Sequence, residues 1–124
     1  MSDRVSDGRS DERPDLVRYL RVDEVEPTEV APGITRRSLP RTTLADGWVI
    51  DFAPGTRWPR LDRHEGEERY YVISGEVIEG GRRLGPGSYV VFAPGSAHRP
   101  HSESGARMLG INIPVSTPTA PSAV

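Results

Sequence analysis

The sequence predicts an all-β fold, a sandwich or a barrel. Two observations carry this. No segment keeps helical periodicity over three turns, and seven to nine short runs of strand-forming residues alternate with turn signals every eight to twelve residues. At 124 residues the chain has room for one domain with one modest core.

Residues 1–14 are charged, rich in Ser and Asp and nearly free of apolar side chains, so they read as a disordered tail. The domain is expected over 15–114. Apolar residues return from Leu16 to Val25 as a strand or one helical turn. Pro27, Pro32 and Gly33 punctuate a loop, and Ile34–Leu39 reads as a short strand ended by Pro40. Asp46-Gly47 is a turn signal, and Trp48–Ala53 is a strand stopped by Pro54-Gly55. In that strand Trp48, Ile50 and Phe52 share one face and belong to the core. Glu68–Ile78 is the next strand, with a bend or tight turn at Gly75. Glu79–Arg83 forms a hairpin-like connection and Leu84–Gly87 a turn. Ser88–Phe92, His98–Ser102 and Ala106–Ile113 are further strands, and 115–124, rich in Pro, Ser and Thr, is a second loose tail.

Composition narrows the chemistry. There is no Cys, which removes disulfides, thiolate nucleophiles and thiolate metal sites. All sixteen basic residues are Arg, so no lysine Schiff base can form. The all-Arg usage fits a GC-rich genome. A net charge of −2 points to neither nucleic acid nor an anionic membrane as partner. No apolar run reaches the roughly 18 residues of a membrane span. The polar N-terminus lacks a signal-peptide core, which places the chain in the cytoplasm by default.

The stretch Gly55–Gly75 concentrates the donors that remain. Asp62 and His64 are two apart, so an extended chain turns both to one face. Glu68 follows a short polar turn and opens a strand, where an unpaired buried carboxylate is costly. A metal would satisfy it, and so would Arg57, Arg60 or Arg99. His98 stands just after Pro94-Gly95. Two imidazoles and two carboxylates suit a first-row divalent ion. Asp62 is a ligand, an acceptor behind a ligand histidine, or a salt-bridge partner of Arg60 or Arg63. His101, three residues past His98, falls on the opposite face of a strand and is expected outside the barrel; in an irregular segment it could instead substitute for Asp62. Tyr70 and Val72 share the face of Glu68 and should line the cavity, with Tyr70 the candidate catalytic acid or base. Tyr71 and Ile73 face the other way, toward another sheet or an interface. Trp58 caps the pocket or covers the core.

These residues resemble the two motifs of the cupins. Gly55, His64, Glu68 and Gly75 match the first motif, with Asp62 where the family has the first His of its pair. Gly87, Gly95 and His98 hold the spacing of the second, with its Pro displaced by one to Pro94 and Ser102 in place of Asn. The phrase Gly66–Gly75, followed by APGSAHRPHSESG, looks closest to the C-terminal cupin of ChrR-type zinc anti-sigma factors and is similar to acetylacetone-dioxygenase-like cupins. The likeness covers roughly residues 45–113. It implies a double-stranded β-helix, or jelly roll, with a divalent metal (Fe, Mn, Ni or Zn) in the barrel mouth and a homodimer paired through an outer sheet. Two functional readings follow. The first is a small metal-dependent enzyme acting on an organic substrate by dioxygenation, isomerisation or a cyclase- or lyase-type reaction. The alternative is a metal- or ligand-binding sensor without catalysis, either metal-bound or metal-free. Against the sensor, no helical sigma-binding segment or upstream zinc motif is visible in the chain.

Overall fold

A computed structural model describes residues 16–115. Among these, the strands in chain order are β1 (Thr28–Ala31), β2 (Ile34–Ser38), β3 (Asp46–Phe52), β4 (Thr56–Arg57), β5 (Asp62–Arg63), β6 (Glu67–Gly75), β7 (Val77–Glu79), β8 (Arg82–Leu84), β9 (Tyr89–Phe92), β10 (Ala97–His98), β11 (His101–Ser102) and β12 (Ala106–Ile113). They form a six-stranded sheet in the order β1-β2-β3-β12-β6-β9, a four-stranded sheet β4-β11-β7-β8, and a two-stranded piece β10-β5. Every pairing is antiparallel. The expected all-β jelly-roll barrel is the fold. No helix among the described residues is long and apolar enough to cross a membrane.

Alternation builds the core. Ile34, Trp48, Ile50, Phe52, Tyr70, Val72, Val77, Ala106 and Met108 form one buried cluster, drawn from both larger sheets. Burying each large apolar side chain contributes about 1.5–3 kcal/mol. β12 lies between β3 and β6, with Met108 opposite both Ile50 and Val72. The Trp48 indole donates to Asn112 Oδ1 at 2.6 Å, which satisfies a polar atom taken into the core with its ring.

Several expected elements change once long-range pairing is seen. The loop expected over Pro27–Gly33 is a β1–β2 hairpin turning at Pro32-Gly33, with Ala31 opposite Ile34. Asp46-Gly47 is not a turn: Gly47 pairs with Ile111 and Asp46 with Asn112, so β12 extends β3 backward past the turn signal. The turn lies just before it, where Thr42 N–H donates to Ala45 O. Leu16–Val25 forms no strand; it holds a single 3-10 turn at Val22–Glu24, while Leu16, Val17 and Tyr19 are exposed. The segment expected as one strand, His98–Ser102, divides into β10 and β11, which join different sheets. The tails expected at 1–14 and 115–124 lie outside the described residues, Val115 excepted.

Gly75 makes the corner at which the chain leaves the six-stranded sheet for β7 in the four-stranded one. Its φ is 72°, and a Cβ there would lie 2.0 Å from Gly105 O. Gly75→Ala therefore combines left-handed strain with a backbone clash and should cost about 2–4 kcal/mol. Denaturant unfolding measures this, and a variant as stable as the wild type would show that the corner relaxes freely.

Candidate metal centre

The site sits where β5, β6 and β10 meet. In the β5–β10 pair, Asp62 lies directly opposite His98. His64 follows β5, and its backbone is fixed on both sides by the turn at Pro94-Gly95: His64 N–H donates to Ser96 O at 2.9 Å, and Gly95 N–H donates to His64 O at 2.8 Å. Glu68 is the second residue of β6 and points inward with Tyr70 and Val72 by alternation. One donor atom from each of Asp62, His64, Glu68 and His98 lies within 4.8 Å of every other. Bond lengths of about 2.0–2.2 Å place donors around one ion roughly 3–4.4 Å apart, so small side-chain rotations close this set on a metal.

His64, Glu68 and His98 are buried, and Asp62 is partly so. Glu68 bridges the imidazoles: Oε1 is 3.4 Å from His64 Nδ1 and Oε2 is 3.2 Å from His98 Nε2. No arginine among the described residues pairs with Glu68, nor does Arg60 or Arg63 pair with Asp62. The Nε2 atoms of both histidines are buried and make no well-formed hydrogen bond among the described residues, His98 Nε2 having only the Glu68 carboxylate beside it at 3.2 Å. A buried polar atom left without a partner costs about 1–3 kcal/mol, and a coordinated ion removes that cost. The donor set and these orphaned nitrogens fit a divalent metal. Phe92 locks the rings, stacked on His98 with centroids 4.1 Å apart and tilted against His64 at 5.6 Å.

Behind the donors lies a residue the sequence reading placed in a connection. Glu79 ends β7, a strand buried at all three positions. Its Oε2 accepts from His98 Nδ1 at 2.7 Å and from the Tyr70 hydroxyl at 2.6 Å. In the neutral ring this bond favours the proton on Nδ1, which would leave Nε2 to coordinate a metal. The signal in the sequence was a carboxylate directly after Val77-Ile78, where the strand is too apolar for a solvated edge. Burial, chiefly, and then the Glu79 carboxylate raise the Tyr70 hydroxyl well above the usual phenol range, so it remains a donor. Tyr70 and Val72 do not line the cavity as expected; both belong to the core cluster. Burial pulls the His98 pKa down, but hydrogen bonds and charge from Glu68 and Glu79 outweigh it and push it up to about 9.

Asp62, Glu68 and His98 border a cavity of about 50 Å³ that Trp58 helps to line while also packing on Phe52 with ring centroids 6.3 Å apart. Both expectations for Trp58 thus hold. An outer groove of about 610 Å³ passes Asp62 and His64. Asp62 and Asn112 border both spaces. His101 stands apart from the donor group, paired with Arg57 and Ile78 in the four-stranded sheet.

The sequence profile of the ChrR cupin-like domain matches residues 17–114. No curated protein matches the chain by sequence. Among solved structures, an RmlC-like cupin from Shewanella frigidimarina NCIMB 400 superposes with a TM-score of 0.69 at 20% identity, covering 78% of this chain and 90% of that one. The complex of Rhodobacter sphaeroides SigE with the anti-sigma ChrR gives 0.67 at 21%, covering 74% of this chain and 50% of the other. An acetylacetone dioxygenase from Acinetobacter johnsonii gives 0.71 at 13%, covering 85% and 79%. At these identities the likeness is one of fold.

The raised His98 pKa has a consequence for the metal-free chain. Its ordinary value is 6.5 and its folded value about 9. The contribution to stability is therefore complete below about pH 6.5 and lost as the pH rises through 9. In chelator, unfolding free energy should fall by on the order of 3 kcal/mol across that window. Glu79→Gln should flatten most of the slope; an unchanged slope in the variant would remove Glu79 from the account.

Proposed function

The chain belongs to the ChrR cupin-like family, and from that premise we propose that it is a metal-dependent enzyme of the cytoplasm acting on a small organic substrate. The carrying observation is the convergence of four donors, Asp62, His64, Glu68 and His98, in which His64 Nε2 and His98 Nε2 are buried and make no well-formed hydrogen bond among the described residues. Asp62, His64, Glu68 and His98 hold one first-row divalent ion, Fe, Mn, Ni or Zn. When bound, such an ion supplies Lewis acidity toward a substrate oxygen, and redox chemistry if it is iron or manganese. The chain's own part is to hold and orient. Glu79 fixes the tautomer and aim of His98. Tyr70, proposed from the sequence as an acid or base, acts through Glu79 as a positioning residue. The cavity admits the reacting end of a substrate and the groove its remainder.

Dioxygenation, isomerisation and lyase- or cyclase-type reactions all suit this arrangement. The alternative is a sensor that binds metal or ligand without turnover, which the family's ChrR likeness supports. Residues on the outer face of the six-stranded sheet support a further reading. Tyr71, Ile73, Tyr89, Val91, Leu109 and Ile111 are exposed there, and Leu109, Tyr71 and Tyr89 stand side by side across three strands. Such a stripe suits self-pairing into a homodimer.

Elemental analysis of the purified chain tests the metal, and Asp62→Ala tests the donor set. Metal content and turnover are read on the same preparations. Loss of metal in Asp62→Ala makes Asp62 a ligand, whereas retained metal with collapsed turnover places it beside the reaction. Wild-type behaviour in both would reduce the donors to His64, Glu68 and His98. For the dimer, light scattering at tens of micromolar should give twice the chain mass, and Leu109→Glu should halve it; a monomeric wild type ends that reading.

A further inference from the structure

Among the described residues, the inner face of the barrel carries a cation, Arg36, that the metal reading leaves unused. In β2, Ile34 is fully buried in the core, and Arg36, two residues on, shares its face. Arg37 faces outward and pairs with Asp51 at 2.9 Å. Arg36 is half-buried opposite Ile50 and borders the small cavity together with Asp62, Glu68 and His98. Its guanidinium lies 6.0 Å from the centre of the Trp48 ring. Among the described residues it makes no hydrogen bond and no ion pair, although two carboxylates border the same cavity. Arg36 thus lines the cavity as a permanently charged residue with five N–H donors and no protein acceptor among the described residues.

Charge counting shows what such a group does there. As carboxylates, Asp62, Glu68 and Glu79 would bring three negative charges against two on a bound divalent ion, whose coordination requires neutral histidines. Arg36 cancels the excess. An anion reaching the cavity then meets a neutral site with an open fork of donors; without Arg36 it meets a net negative one.

We infer that Arg36 is the anion-recognising residue of this cavity, and that the ligand is a small organic monoanion whose charge resides on oxygen, a carboxylate or an enolate. One oxygen faces the ion and the charge is shared with the guanidinium. This rests on the metal-dependent reading above and names the substrate class for it. A ligand with a neutral or cationic head gains nothing from Arg36.

The test uses the full-length chain loaded with Co(II), whose visible bands report added ligands. Cobalt content is read first, in the wild type, Arg36→Gln and Arg36→Lys. Acetate then serves as the anionic probe and imidazole as the neutral one. Arg36→Gln should retain cobalt, bind acetate roughly tenfold or more weakly, and bind imidazole within about twofold of the wild type. Arg36→Lys should recover part of the acetate affinity, because it restores the charge without the fork. Equal acetate affinity in Arg36→Gln and wild type overturns the inference, and so does an equal loss for both probes, which would make Arg36 a packing residue on Trp48. Loss of cobalt in Arg36→Gln alone would assign it to holding the donors instead. A wild type that takes up no cobalt fails the metal reading itself, and the inference falls with it.

Discussion

One oxygen atom carries much of this structure. Glu79 Oε2 accepts from Tyr70 and from His98, and these three residues come from three separate sheets: β7, β6 and β10. A buried carboxylate is tolerated only with donors around it, and here the donors are supplied by the core on one side and by the mouth on the other. The pair of bonds therefore does two jobs. It pins the two larger sheets to each other through polar atoms, and it sets which nitrogen of His98 faces the shared space. A mobile imidazole would hydrogen-bond to Glu68 in whichever tautomer suited it. The one held here has a single way to stand.

Around that fixed point, the mouth is arranged against the interests of the fold. Two imidazole nitrogens are buried without a well-formed hydrogen bond among the described residues, and Asp62 and Glu68 are brought together there. A chain selected for stability alone would fill this space with apolar side chains. Phe92 shows how the cost is contained. It stacks on His98 and tilts against His64, so apolar packing holds the His64 ring and adds to the Glu79 bond that holds His98.

Much of this was legible in the sequence where the signal is local. Alternation at Trp48, Ile50 and Phe52 marked one buried face, and Pro-Gly pairs marked strand ends, because these depend on neighbours in the chain. The four donors were visible from their spacing, since a two-residue step and a short turn leave few places for them to go. Long-range effects were not visible. Asp46-Gly47 is extended because β12 lies beside it, and β1 exists because Pro32-Gly33 folds it onto β2. Glu79 was hidden for the same reason. It sits next to Gly80-Gly81, a plain hairpin signal, and only the approach of His98 and Tyr70 gives the carboxylate its partners. Tyr70 was placed on the correct face, but alternation cannot tell the floor of a cavity from the core beneath it.

The phrase Phe-Ala-Pro-Gly occurs twice, at Phe52–Gly55 and at Phe92–Gly95, and the two copies are built alike. In each, the hydroxyl of the next residue donates to the alanine carbonyl: Thr56 Oγ1 to Ala53 O at 2.7 Å, and Ser96 Oγ to Ala93 O at 2.6 Å. In each, the glycine N–H reaches across to another strand, to Ser102 O in the first and to His64 O in the second. These are interchangeable parts with unequal stakes. The first corner bonds to β11 in the four-stranded sheet, whereas the second bonds directly to His64, a candidate metal donor, so a flaw there reaches the site. For anyone grafting or redesigning this chain, the first corner is a place to practise and the second is one to leave alone.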